Sequence, residues 1–310
     1  MTTFTEGFQN LEFLLSEGPA DRSREAGVLL TGNDLISGAV LGKITKAQAA
    51  APIPTISGTG TGAMTLLTFG PDVQTGSYVV TLTATSATAA FTVTAPDGTA
   101  LPTGNVGTAY TSTHLSFLVS SAGTMTTGDS YTVVVTAGGT PVLVGTGTGV
   151  VSAFSLGPDA QNGAYRVQLL ATSATAEFEV IAPDGSKLKR GQVATAYASS
   201  HINFTLANGG TMTSGDYFVL IVAKGSQKYT AVVPTTYDGR HVASAILAYA
   251  TDATDADQDV TVLARSCTVK SACLTWPTSV TTAQKATATN QLAAAGILLR
   301  TGVTSAGPDE

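Results

Sequence analysis

The chain has 310 residues, a formal net charge of −6 and only 12% charged residues against 43% hydrophobic ones. This length allows two or three domains with separate cores, and low charge with high apolar content excludes a disordered chain. The negative balance provides no basic surface for phosphate groups, so we expect no nucleic-acid partner.

The N-terminal segment lacks the basic and then apolar pattern of a secretory signal, and no stretch approaches the roughly 18 apolar residues of a membrane helix. We therefore expect a protein that is made in the cytoplasm and has no membrane partner. Apolar side chains recur along this segment where few signals for helix or strand occur: Phe4, Phe8, Leu11, Phe13 and Leu14. Such a segment suits strand addition to an exposed sheet edge. Alternatively, these side chains belong to the protein's own core.

The middle of the chain is a tandem repeat. Gly58 to Gly138 aligns without a gap on Gly145 to Gly225, at an offset of 87 residues, and roughly half of the aligned positions are identical. The charges are not repeated. The first copy has three aspartates and no Lys or Arg, whereas the second has five acidic and five basic residues.

Each copy has the period-two pattern of half-buried strands, interrupted by turn residues such as Pro96-Asp97-Gly98. This pattern predicts two antiparallel β-sandwich repeats, residues 58–137 and 145–225, that are immunoglobulin-like in size. The glycine-rich run Gly58 to Gly62 lacks the lysine and the helix of a phosphate-binding loop and is interpreted as linker. The linker Gly138 to Gly149 predicts two separate beads without a common core.

The segments that flank the repeats contain two further strand-like runs, Val40–Thr45 and Lys228–Val233. If these strands pair, the repeats are inserted at the tip of one hairpin, which tolerates insertion well. The flanks, residues 1–50 and 226–310, then form one discontinuous domain.

The second flank predicts more strands, at residues 245–249, 260–263 and 297–299, and one helix. Thr281 and Gln284 form a predicted capping box at the start of this helix, and Gly296 ends it. The predicted fold class is therefore mainly β with a single C-terminal helix.

Few side chains suit catalysis or metal binding. His114 and His201 occupy equivalent positions and are expected to cap turns or to be half-buried, and His241 has no serine elbow near it. The acidic run at Asp255, Asp257 and Asp259 imitates a calcium loop but lacks the glycine and the glutamate that such a loop needs. We expect no enzyme, no metal and no cofactor.

Cys267 and Cys273 are too few for a disulfide framework and wrongly spaced for a zinc knuckle. We interpret them as reduced structural thiols, with a hairpin disulfide as the alternative. Trp276 precedes Pro277 and is expected to be a core or subunit-interface anchor; a platform for ligand stacking is the alternative.

Several runs in the flanks follow a familiar order and spacing: Asn10–Glu17, Ser23–Glu25, Gly38–Lys43, Asp238-Gly239, Ala245–Ala248, Leu274–Pro277 and the helix that ends at Ala295-Gly296-Ile297. They resemble the head decoration proteins of tailed phages of the lambda type. The repeats resemble, more loosely, the sandwich insertions of some members.

The resemblance implies a trimer with a compact, β-clip-like body that binds the outside of the expanded capsid at three-fold and local three-fold positions. It also implies an N-terminal arm, here residues 1–15, that adds β-structure to the major capsid protein. Under this resemblance Leu274, Trp276 and Pro277 are trimer or core anchors.

The sequence therefore favours a capsid cement protein of the virion's outer surface, synthesised in the cytoplasm of a bacterial host, that carries two sandwich domains outward. The alternative is a surface adhesin or carbohydrate-binding module whose repeats bind host-surface glycans. A hydrolase is disfavoured because no nucleophile, base and metal constellation is present.

Overall fold

The computed structural model describes residues 9–301, so Phe4 and Phe8 lie outside the described residues. The chain divides into two compact units. One consists of the residues up to Thr45 together with those from Ser226 onward, and the other of Lys46–Gly225. None of the helices within residues 9–301 has the length and apolar character needed to cross a bilayer.

The first flank contains β1 Leu14–Glu17, α1 Ala20–Ser23, β2 Arg24–Leu29, β3 Asn33–Leu35 and β4 Val40–Lys43. The middle unit contains β5 Lys46–Ala50, β6 Ile56–Ser57, β7 Met64–Phe69, β8 Gly76–Leu82, β9 Ala90–Thr94, β10 Ala100–Asn105, β11 Tyr110–Thr111, β12 Leu115–Val119, β13 Ser130–Ala137, β14 Val142–Val144, β15 Val150–Leu156, β16 Gly163–Leu169, β17 Glu177–Ile181, β18 Gly191–Gln192, β19 Ala196–Ala198, β20 Ile202–Ala207 and β21 Tyr217–Lys224. The second flank contains β22 Tyr229–Ala231, β23 Ala243–Leu247, β24 Thr251–Ala253, β25 Gln258–Leu263, β26 Cys267–Lys270, a 3-10 turn Ser271–Cys273, α2 Thr282–Ala294 and β27 Ile297–Arg300.

The flanks fold together around a closed barrel with the strand order β2-β22-β4-β23-β25. The two strands on either side of the repeats pair as predicted, with Tyr229 opposite Lys43 in an antiparallel ladder. Alternating side chains such as Leu41 and Leu247 fill the barrel interior, because successive residues of a strand face opposite sides. The mainly β fold class predicted from the sequence is confirmed.

A three-stranded sheet, β1-β26-β27, and helix α2 share a second core of the same unit. The capping box at the helix start is present: the Thr281 hydroxyl accepts from the Gln284 amide at 3.3 Å, and the Gln284 side chain accepts from the Thr281 amide at 2.8 Å. Gly296 follows the helix with a φ of 86°, a left-handed conformation that glycine adopts without strain. Leu292 is fully buried and fixes the helix on this core.

Each repeat consists of two sheets over one apolar core. In the first repeat β10-β9-β8-β13 faces β11-β12-β7, and in the second the equivalent strands β18-β17-β16-β21 face β19-β20-β15. The two cores contain the same aromatic cluster. Phe91, Tyr110 and Phe117 form it in the first repeat, and their counterparts Phe178, Tyr197 and Phe204 form it in the second.

The two repeats are not separate beads, and this expectation from the sequence is wrong. Strand β5 pairs with β13 on one side, Ala50 opposite Thr136, and with β21 on the other, Ala49 opposite Ile221. One continuous sheet of eleven strands therefore passes through both repeats. Ile221 and Ala223 of the second repeat also belong to the core of the first. The linker itself supplies β14, which pairs with β21.

This joint explains part of the divergence between the copies. Ile221 is fully buried, whereas its counterpart Val134 is 42% exposed. Ala164 and Val219 on the same outer sheet face also pack against the first core. The second repeat therefore has an apolar outer face because the first repeat covers it.

Candidate functional site

The N-terminal segment is attached to the flanking unit from Asn10 onward. The Asn10 carboxamide oxygen accepts from the Ala250 amide at 3.0 Å, and the Leu11 amide donates to the Ser37 hydroxyl at 3.0 Å. The Ser37 hydroxyl in turn donates to the Ala248 carbonyl at 2.7 Å. These bonds fix Asn10 and Leu11 on this unit.

Phe13 lies inside the protein's own core. Its side chain is 1% exposed and packs in the cluster that contains Val269 and Leu292, while its carbonyl accepts from the Lys270 amide at 2.7 Å. Gly38 leaves room for the ring, since a Cβ on Gly38 would come within 3.2 Å of Phe13. Leu11 and Leu14 are partly buried against the same core. For Phe13 the structure thus gives the second of the two interpretations, a core residue.

Among the residues that the structure describes, strand β1 pairs with β26 alone and is therefore an edge strand. A bulge falls between Leu14 and Ser16, and the bulged residue Leu15 is 54% exposed. Ile36 and Tyr249, which adjoin the attachment points Ser37 and Ala248, are also exposed. Exposed apolar side chains and an unpaired strand edge are features at which another chain can dock.

An ion pair fixes the end of β1. Glu17 accepts from the Arg24 guanidinium at 3.0 Å and from the Ser23 hydroxyl at 3.0 Å. The hydrogen bond from Arg24 is the largest of the effects that lower the pKa of Glu17. Arg24 also donates to the Tyr249 hydroxyl at 3.0 Å, so it connects the end of the strand to Tyr249. No motif in the sequence indicated this network, because its members are brought together only by folding.

Two of the three predicted anchors of the second flank, Leu274 and Trp276, lie on the same core as Phe13. Leu274 is buried, and Trp276 is partly buried and packs against the cluster, while Pro277 is half-buried. The two cysteines are free and buried, and burial raises the pKa of the Cys267 thiol to about 11. This environment keeps Cys267 protonated and unreactive at neutral pH.

The two glycine-rich runs form loops that are held by hydrogen bonds, so the interpretation of such a run as linker is wrong. A buried aspartate holds each run: Asp129 accepts from the Gly60 amide at 2.7 Å, and Asp216 accepts from the Gly147 amide at 2.7 Å. A Cβ on Gly58 would lie 1.9 Å from a carboxylate oxygen of Asp129, so only glycine fits there. The sequence repeats both partners, but it does not show that they touch.

The two equivalent histidines have structural surroundings. His114 shares a hydrogen bond with the Tyr78 hydroxyl at 3.1 Å, and His201 shares one with the Tyr165 hydroxyl at 3.2 Å. Each histidine is half-buried, as expected. His241 lies edge-on to Tyr237 at a ring distance of 5.2 Å.

The acidic run of the second flank includes one anchored residue. Asp257 forms an ion pair with Lys228 and accepts from the Thr31 amide at 2.9 Å. Within residues 9–301, no group of three or more His, Cys, Asp or Glu side chains is arranged to hold a metal ion.

Comparison with known proteins gives one match. The family model of bacteriophage lambda head decoration protein D matches residues 3–297, which include both flanks and the repeats between them. No curated protein and no solved structure matches the chain. Because the match extends over nearly the whole sequence, the chain belongs to the bacteriophage lambda head decoration protein D family, a family of structural proteins of the phage head.

Proposed function

We propose that this protein is a non-enzymatic cement of the phage head. It binds as a trimer to the outside of the expanded shell, at three-fold and local three-fold positions, and contacts the major capsid protein there. Binding to the expanded shell and not to the unexpanded one stabilises the expanded form by mass action. The protein is made in the cytoplasm of the bacterial host and becomes part of the virion's outer surface.

The family match over residues 3–297 carries this proposal. The hydrogen bonds of Asn10 and Leu11 limit the length of the proposed arm, because these residues are bound to the protein's own unit. The proposed arm is therefore shorter than residues 1–15 and consists of the residues before Gln9, with Phe4 and Phe8 as its apolar anchors. The exposed residues Leu15, Ile36 and Tyr249 and the edge of β1 are proposed to belong to the capsid-facing surface as well.

Effective concentration explains how so short an arm suffices. Ordering eight residues costs conformational entropy, and each arm alone buries little apolar surface. In a trimer the three arms bind together, so each bound arm raises the local concentration of the next. The repeats, which form the other compact unit, are proposed to project outward.

The test uses the full chain and two matched pairs of substitutions. Wild-type protein is mixed with expanded and unexpanded shells and recovered by co-sedimentation. Replacing Phe4 and Phe8 by Ser is expected to lower the affinity for expanded shells at least about 100-fold, because three arms each lose two apolar anchors. Replacing the same residues by Leu keeps the apolar surface and is expected to retain most of the binding.

The thermal unfolding of both variants checks that the described units remain intact. Full binding by the Ser variant would show that the arm is not the capsid contact. If the wild-type protein binds neither the expanded nor the unexpanded shells, the proposed function itself is wrong.

A further inference from the structure

The second repeat has a polar pocket of about 330 Å³ beside β18 and β19, where both of its sheets end. The residues that line it include Glu177, Lys189, Arg190, Gln192, Thr195 and Tyr197. This pocket belongs to the middle unit.

The floor of the pocket is common to both repeats. Gly191 lies directly over the Phe178 ring, where a Cβ would meet the ring at 2.3 Å. In the first repeat Gly104 has the same relation to Phe91, with a corresponding distance of 2.4 Å. The two copies therefore share a scaffold at this place.

The charged rim is specific to the second repeat. Its three charged residues replace uncharged ones of the first: Lys189 for Pro102, Arg190 for Thr103 and Glu177 for Ala90. Because the scaffold is the same in both copies, packing does not explain these charges. They are a property that one copy has and the other lacks.

The cations of the rim are poorly compensated. Arg190 pairs with Glu177 at 3.5 Å, but both side chains are more than half exposed, and such pairs contribute little. Lys189 forms no ion pair with any residue that the structure describes; its ammonium lies 5.6 Å from the centre of the Tyr197 ring. The Tyr197 hydroxyl donates to the Lys189 carbonyl at 3.1 Å and so fixes the backbone that carries this cation.

We propose that this pocket binds a carbohydrate that carries carboxylate groups, of the hexuronic acid class. Lys189 and Arg190 receive the carboxylate through charge-assisted hydrogen bonds. Gln192, Thr195 and Glu177 receive the sugar hydroxyls.

Glu177 adds a hydrogen-bond acceptor to the rim. An ionised carboxylate accepts hydrogen bonds but cannot donate them, so it favours a ligand that brings several hydroxyl donors besides its anionic group, as a sugar does. An acidic peptide that adds a strand fits less well, because β18 offers only two residues for pairing.

The experiment titrates the full chain with a trimer of galacturonic acid and follows binding by calorimetry. A neutral glucose trimer and inorganic phosphate are the ligand controls. Lys189→Gln and Arg190→Gln are each expected to weaken binding of the acidic trimer about tenfold, the effect of losing one charge-assisted hydrogen bond. Lys285→Gln, on the exposed side of α2, changes the net charge equally and is expected to leave binding unchanged.

The other outcomes overturn the proposal. Equal binding of phosphate or of the neutral trimer would exclude an acidic carbohydrate as the ligand class. If Lys285→Gln weakens binding of the acidic trimer as much as the two rim variants do, the effect is due to net charge and not to this pocket. If the wild-type protein binds nothing and Lys189→Gln causes aggregation, the cations protect the sheet edge and are not a binding site.

Discussion

The two repeats are built from one plan, and they differ where their surroundings differ. Their cores share the aromatic cluster, the aspartate that holds the glycine loop, and the tyrosine beside the histidine. Their outer sheet faces and their edges have diverged. This duplicated unit has thus kept the residues that fold it and changed those that join it to a neighbour or line its edge.

The largest expected effect concerns the joint between the repeats. Ile221→Ala is expected to lower the free energy of unfolding by about 2–4 kcal/mol, because it opens a cavity in a shared core. The matched change Val134→Ala, at the equivalent but half-exposed position, is expected to cost no more than about 0.5 kcal/mol. Denaturant titration of both variants measures the difference. Two equally small effects would mean that the repeats are independent beads after all.

We call Asp129 and Asp216, which hold the glycine loops, the aspartate clamps. The two repeats are expected to respond alike when these residues are replaced. Asp129→Ala and Asp216→Ala each remove a buried carboxylate that accepts hydrogen bonds from two amides of a glycine loop, which is expected to cost about 1–3 kcal/mol. Asp255→Ala, at an exposed position, serves as control for the loss of one negative charge. Thermal unfolding measures all three. A clamp variant that is as stable as the control would show that the loop is linker, as the sequence alone suggested.

The smallest expected effect is a change in the pKa of one exposed aspartate in each repeat, Asp97 in the first and Asp184 in the second. The pKa of Asp97 is lowered to about 2 chiefly by a hydrogen bond from the Gln74 side chain, whereas that of Asp184 is lowered to about 2 first by Ser186 and then by Gln161. A pKa depressed by folding contributes stability above about pH 4 that is lost as the pH falls towards about 2. Gln74→Ala and Gln161→Ala, which remove donors at 3.0 Å and 2.9 Å, are therefore expected to raise the pKa of Asp97 and of Asp184 respectively, as measured by NMR. An unchanged pKa in either variant would contradict the role of these hydrogen bonds.

The sequence was sufficient for the local features of the fold. Period-two patterns located the strands of both repeats, and Thr281, Gln284 and Gly296 marked the ends of the helix, because capping and turn formation depend on neighbouring residues. Resemblance in the flanks led to the family that the comparison then showed.

Contacts between distant residues could not be predicted in the same way. Strand β5, a run of lysine, alanine and glutamine, has no strong strand signal, yet it joins the two repeats because it finds two partners in space. Phe13 has the same apolar character as Phe4 and Phe8, and only its buried position in the fold identifies it as a core residue. The contacts from Asn10 to Ala250 and from Glu17 to Arg24 likewise carry no sequence motif.

The most direct test of the proposed function is the binding of the full wild-type chain to purified phage shells before and after expansion, measured by co-sedimentation across a range of protein concentrations. We predict saturable binding to expanded shells, with three copies at each occupied three-fold position, and no binding to unexpanded shells. Absence of binding to expanded shells, or equal binding to both forms, would contradict a role as capsid cement.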